Sequence, residues 1–167
     1  MRYLVHNFLQ IHSLPEGSSV AVFGCGAIGL GVISTSSTVG ASRIIAIDTN
    51  PEKEGWAMKM GATEFINPTT LPEGKRIQDY LVEITDGGLD FTFDATGNVK
   101  VMRAALEACH KGWGVSTVIG VAAAGEEIST RPYVIIIVDD LCSSSVFSRF
   151  QLVRPRDQSI WSFPYVA

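Results

Sequence analysis

Ser19-Val-Ala-Val-Phe23 runs directly into Gly24-Cys-Gly-Ala-Ile-Gly29, and a stretch ending near Val39 follows. The β-prone run predicts a strand, the glycines a tight turn, and the remainder a helix. Gly24, Gly26 and Gly29 carry the spacing GxGxxG. The first glycine permits the turn, the second lets backbone N–H groups approach a diphosphate, and the third allows close helix packing. A diphosphate held there would rest on the helix N-terminus, where free N–H groups and the helix dipole favour negative charge.

Outward from this turn, β-prone runs alternate with helical stretches. Arg43-Ile-Ile-Ala-Ile-Asp48 reads as a second strand. Asn50 sits where a helix cap belongs, Pro51 at the first helical position, and Gly61 at the stop. Glu64-Phe-Ile66 is a brief third strand. Lys75 to Thr85 forms a helix with an apolar stripe of Ile77, Leu81, Val82 and Ile84. Leu89 to Ala95 is a fourth strand, Asn98 caps a helix through about Cys109, and Gly114 to Gly120 is a fifth strand. This rhythm predicts an α/β fold with a doubly wound parallel sheet.

Asp48 lies 19 residues past Gly29, at the end of the second strand. A carboxylate there can accept both hydroxyl hydrogens of an adenosine ribose and would repel a 2′-phosphate, which favours NAD over NADP. The bland alternative makes Asp48 a strand-end turn residue. A glycine turn followed by an acid after the second strand also occurs in S-adenosylmethionine enzymes, so a methyltransferase stays open on these residues alone.

The 167 residues suit one domain with a packed core, 46% of them hydrophobic and 18% charged. A net charge of −4 with no basic block gives no support to a nucleic-acid partner. Cys25, Cys109 and Cys142 are widely spaced and form no CxxC pair, which argues against a disulfide framework or a cysteine-rich zinc site and for a cytoplasmic setting. His6, Asn7, Gln10 and His12 interrupt any signal core in the N-terminal stretch, and no membrane span is expected. His110 follows a predicted helix and reads as a helix C-terminal residue rather than a proton shuttle. Ser34-Thr-Ser-Ser-Thr38 places poor helix formers in the glycine-turn helix, where reduced stability is expected.

Four segments in order, Gly24-Cys-Gly-Ala-Ile-Gly29, Asp48-Thr-Asn-Pro-Glu-Lys53, Gly61-Ala-Thr-Glu-Phe-Ile-Asn-Pro68 and Thr85-Asp-Gly-Gly88, resemble the medium-chain alcohol dehydrogenases. The stretch from Thr96 to Gly114 and that from Gly120 to Pro132 look like the class III branch, which oxidises S-(hydroxymethyl)glutathione. The resemblance covers about Pro15 to Pro132 and makes the methyltransferase a remote alternative. It implies a Rossmann domain over 15–132, flanked by divergent segments 1–14 and 133–167. It also implies that Lys53 assists Asp48 at the ribose, that Thr96 lines the adenosine side, and that Ile28, Ile119 and Val121 border the nicotinamide. For these apolar residues core packing is the competing expectation, and Lys53 could equally be a solvated helix residue.

The family's chemistry uses a zinc ion to lower the pKa of the alcohol before hydride passes to NAD. Its ligands come mostly from a preceding domain, and neither the Gly-His-Glu motif nor the four-cysteine lobe of that domain occurs in this sequence. No catalytic residue and no metal ligand is therefore assigned. Tyr133 to Arg149 interrupts the resemblance before Phe150-Gln-Leu-Val153 resumes it, as a translated intron would. The expected consequence is a sheet incomplete at its C-terminal strand: the sixth strand and the segment that pairs family subunits are missing or replaced, with Val134–Val138 the candidate to cover the open edge. Three readings follow: the coenzyme part of an NAD- and zinc-dependent dehydrogenase that acts with a catalytic domain supplied elsewhere, a fragment that binds NAD weakly or pairs with a homologous full-length subunit without turnover, and a chain with no stable fold.

Overall fold

The computed structural model describes residues 14–130 and 140–143. Six parallel strands form one sheet: β1 (Ser19–Phe23), β2 (Arg43–Ile47), β3 (Glu64–Ile66), β4 (Phe91–Asp94), β5 (Val115–Val118) and β6 (Asp140–Ser143). Their spatial order is β3-β2-β1-β4-β5-β6, with β1 at the centre and a reversal of winding between β1 and β4. Four helices connect them: α1 (Ala27–Thr38), α2 (Glu54–Lys59), α3 (Ile77–Ile84) and α4 (Val99–Ala108).

The side-chain period of two explains why helices cover both faces. Val20 and Val22 of β1, with Ile44 and Ala46 of β2, pack on Val32 and Ile33 of α1 and Ala57 of α2. The alternate residues Ala21, Phe23, Ile45 and Ile47 pack on Leu81 of α3 and Ala104, Ala105 and Ala108 of α4. Strands buried on both sides read as continuous apolar runs, as β1 and β2 do.

Local chemistry sets the ends of elements. The Asn98 side chain accepts from the Lys100 N–H and starts α4. The Asn50 side chain accepts from the Glu52 N–H and starts a 3-10 turn, Pro51–Lys53, which leads into α2, so the expected helix is split in two. Asn67 builds a second such turn over Pro68–Thr70. The Ser/Thr run stays helical: the Thr35 and Thr38 hydroxyls donate to the carbonyls of Gly31 and Ser34 at 2.8 Å.

The sixth strand is replaced rather than missing. Asp140–Ser143, inside the block that interrupts the resemblance, pairs with β5 in the register Val115↔Asp140 to Val118↔Ser143. The expectation for Val134–Val138 falls outside the described residues. Among the described residues no helix is long and apolar enough to cross a membrane.

Candidate functional site

The site lies at the C-terminal ends of β1, β2, β4 and β5, where the reversal of winding opens a crevice between the loops. Gly24 has φ +91°, and a Cβ there would stand 2.8 Å from the Thr96 Cγ2. Gly29 is buried, and a Cβ on it would fall 1.7 Å from the Gly24 carbonyl oxygen. The folded chain itself requires glycine at both positions.

Gly26 differs. Its φ of −75° and ψ of −172° are open to any residue, and nothing lies within 4 Å of a Cβ built on it. It is the N-cap of α1 and supplies no side-chain acceptor, so the first-turn N–H groups are left for another partner. What glycine provides at this position is clear space in front of a helix N-terminus.

Asp48 follows β2 and is half-buried. Its Oδ2 accepts from the Cys25 N–H at 2.7 Å and its Oδ1 from the Asn50 N–H at 2.8 Å. A carboxylate oxygen has two lone-pair sites, so one on each oxygen remains available for a ligand hydroxyl. The same carboxylate thus ties the glycine turn to the loop after β2. Burial, followed by the Asp48 charge, pushes the Cys25 thiol up to about 12, against the smaller opposing effects of the Ile47 backbone and Lys53. Cys25 therefore stays a neutral thiol and is no nucleophile.

A cavity of about 800 Å³ opens beside this carboxylate. Gly24, Asp48 and Thr96 line it, so the structure brings three of the sequence-derived candidates together. Lys53 is half-buried in the 3-10 turn. Ile28 and Val121 are 39% and 81% exposed, which removes core packing as their explanation. Ile119 does pack against the core, on the face that holds α1. The Thr96 hydroxyl donates to Asp94 Oδ1 at 2.6 Å and accepts from the Asn98 N–H at 3.1 Å, so its one proton is already committed.

Sequence reasoning missed the far wall of the cavity, formed by Ile77 and Gln78 of α3 and Val101 and Arg103 of α4. Gln78 Nε2 donates to Glu107, which also accepts from Arg103 Nε at 2.8 Å. Burial opposes the Glu107 charge, but the hydrogen bonds from Arg103 and Gln78 outweigh it and hold the carboxyl below its ordinary range. These residues meet only when α3 packs on α4, which no local pattern announces.

His110 lies just past the α4 cap, stacked on Trp113 with ring centroids 3.4 Å apart, and its Nδ1 is buried without a partner. It stands with Asp90 at the opposite end of the strands from the crevice, consistent with a structural place. Among the described residues no group of His, Cys, Asp and Glu is arranged to hold a metal ion. Cys109, the other described free cysteine, is also pushed up to about 12 by burial.

The family model described as zinc-binding dehydrogenase matches residues 27–150. The S-(hydroxymethyl)glutathione dehydrogenase of Komagataella pastoris is 62% identical over 123 residues, which are 74% of this chain and 32% of that protein. The alcohol dehydrogenase class-3 of Dictyostelium discoideum is 62% identical over 124 residues, 74% of this chain and 33% of that protein. A solved structure, the alcohol dehydrogenase zinc-binding domain protein from Burkholderia ambifaria, has a TM-score of 0.74 and 26% identity, covering 83% of this chain and 36% of that one. The chain spans about a third of the length of the curated relatives it matches.

Proposed function

Because the chain belongs to the zinc-binding dehydrogenase family, we propose that it is the coenzyme-binding part of an NAD-dependent S-(hydroxymethyl)glutathione dehydrogenase. The observation that carries this reading is Gly26: a glycine that the fold does not need, in front of a helix N-terminus with unspent N–H groups. A diphosphate fits that chemistry. The reading places the adenosine ribose on the two open acceptor sites of Asp48, with Lys53 nearby and Thr96 along the adenosine side. Ile28, Ile119 and Val121 border the nicotinamide; two of the three are already exposed for such contact. Residues 15–132 make up the body of this domain, and β6 from the following segment adds a strand to its sheet.

NAD, when bound, accepts a hydride from the alcohol. What this chain's residues do is narrower: Gly24, Gly26 and Gly29 shape the diphosphate seat, and Asp48 selects a 2′-hydroxyl over a 2′-phosphate by charge. The described residues do not fit a catalytic zinc site, since no group of His, Cys, Asp and Glu among them is arranged to hold a metal ion. Activation of the alcohol would need ligands from elsewhere, so the reading includes a homologous subunit as partner. A cytoplasmic setting is part of the same reading.

Calorimetric titration of the purified chain tests the reading. Saturable NAD binding is expected, with NADP at least about tenfold weaker, and Asp48→Ala should narrow that gap. No saturable binding, or equal affinity for the two dinucleotides, would refute it. The missing ligand cluster favours a second reading, binding without turnover; there, zinc, NAD and S-(hydroxymethyl)glutathione added together yield no NADH.

A further inference from the structure

Asp94 ends β4 and is 0% exposed, yet it is a carboxylate in a strand of otherwise uncharged residues. Neither face of the apolar core uses it. Its Oδ1 accepts from the Thr96 hydroxyl at 2.6 Å and from the Thr96 N–H at 3.2 Å, and its Oδ2 accepts from the Gly97 N–H at 3.4 Å. The Thr96 hydroxyl, so oriented, accepts in turn from the Asn98 N–H that precedes α4. That rotamer aims Cγ2 at Gly24, where a Cβ would be 2.8 Å away.

The loop after β5 closes on the same residue, through its backbone carbonyl and by close approach to its carboxylate. The N–H groups of Ile119 and Gly120 donate to the Asp94 carbonyl at 2.8 and 3.0 Å. A Cβ on Gly120 would stand 2.6 Å from Asp94 Oδ2 and 2.1 Å from the Gly97 nitrogen. Gly97, at φ +77°, leaves equally little space before the Val121 carbonyl oxygen, 2.6 Å from where its Cβ would be. One buried side chain therefore bears on three loops: the glycine turn through Thr96, the β4–α4 loop directly, and the Ile119–Val121 segment through Gly97 and Gly120.

We propose that Asp94 is a positioning residue that fixes the distance between the two halves of the dinucleotide site, holding Thr96 on the adenosine side and Ile119–Val121 on the nicotinamide side in one register. It touches neither half of the ligand. Its effect is therefore felt by a ligand that spans both loops more than by one that reaches only the first. The proposal rests on the NAD reading above.

The test measures the affinities of the full chain for NAD and for ADP-ribose, which lacks the nicotinamide. Asp94→Asn keeps the shape but sets an amide donor against a backbone N–H. It should weaken NAD about tenfold and ADP-ribose about threefold or less, so that the ratio of the two affinities falls. Thr96→Val, which removes the hydroxyl and keeps the methyl, should move the ratio in the same direction and serves if Asp94→Asn does not fold. Thr92→Val is the control for plain destabilisation, because Thr92 is equally buried in β4 but bonds to the Ala105 carbonyl and Ser116 on the helix side. It should lower the melting temperature and leave the ratio unchanged. If Asp94→Asn or Thr96→Val folds and keeps the ratio, or Thr92→Val shifts it equally, the positioning role is wrong while the NAD reading stands. If the unaltered chain binds neither ligand, both fall together.

Discussion

Replacing Gly26 and Gly29 separately by alanine sets the needs of the fold against the needs of a ligand within a single turn. At Gly29 the new Cβ would lie 1.7 Å from the Gly24 carbonyl oxygen, far inside the 3.0 Å that real contacts respect. The obstacle is backbone, and Gly24 is held at φ +91° with Thr96 against it, so little can give. Overpacking of this kind costs about 3 kcal/mol or more, and at 2–4 °C per kcal/mol for a chain of this size the melting temperature should fall by roughly 6–12 °C. At Gly26 the Cβ meets nothing, and the backbone angles suit alanine. Losing glycine as N-cap costs up to about 1 kcal/mol, while the stiffer unfolded chain returns about 0.4–1 kcal/mol. The melting temperature should therefore move by about 2 °C or less. NAD affinity responds the other way. A methyl in the diphosphate seat removes at least one charge-assisted hydrogen bond of about 1.5–3 kcal/mol, a loss of roughly 10- to 150-fold. Scanning calorimetry and isothermal titration on the two variants decide the matter. A Gly26→Ala protein that melts normally and binds NAD as tightly as the unaltered chain would refute the assignment of that space to a ligand.

Ser36, fully buried in α1 with an unpartnered Oγ, sits in the run expected to weaken that helix. Ser36→Ala removes the unmet hydroxyl and improves helix propensity, so unfolding in urea should show a gain of about 1–2 kcal/mol; no gain would count against the reading. Burial opposes the charge of Asp90, but hydrogen bonds from the Ser19 N–H, the Trp113 indole and the Ser19 hydroxyl outweigh it and hold the carboxyl below its ordinary value. A lowered folded-state pKa gives stability that is present above the unfolded-state value near about 4 and is lost as pH falls through the folded value. Stability should therefore decline on acidification below about pH 4, and Asp90→Asn should flatten part of that decline; an unchanged slope would show that Asp90 carries none of it.

The central strands and the glycine turn were legible because their signals are local: β1 and β2 are apolar on both sides, and Asn98 caps α4 by contact with residues beside it. Spacing alone put Asp48 at the end of the second strand, where the structure ties it to the glycine turn. The cavity wall from α3 and α4 was not, since Gln78 and Arg103 meet through Glu107 only after the helices pack. The residue type of Asp94 reads as a strand end, and its bonds to Thr96 and Gly97 depend on a turn that sequence does not resolve. β6 is poorly signalled because Asp-Leu-Cys-Ser has weak strand propensity; its ladder with β5 uses backbone groups that any residue offers.

The double engagement of Asp48 bears on attempts to redesign the cofactor preference of such a site. Substituting the acid to admit a phosphorylated ribose is a natural first step, but the two carboxylate oxygens each hold a separate backbone N–H, from Cys25 and from Asn50. An amide offers one oxygen and leaves one of these donors unanswered; alanine leaves both. A switch of preference at this position is thus two tasks, removing the charge and supplying the glycine turn with a new acceptor, and a library that varies residue 48 alone samples only the first.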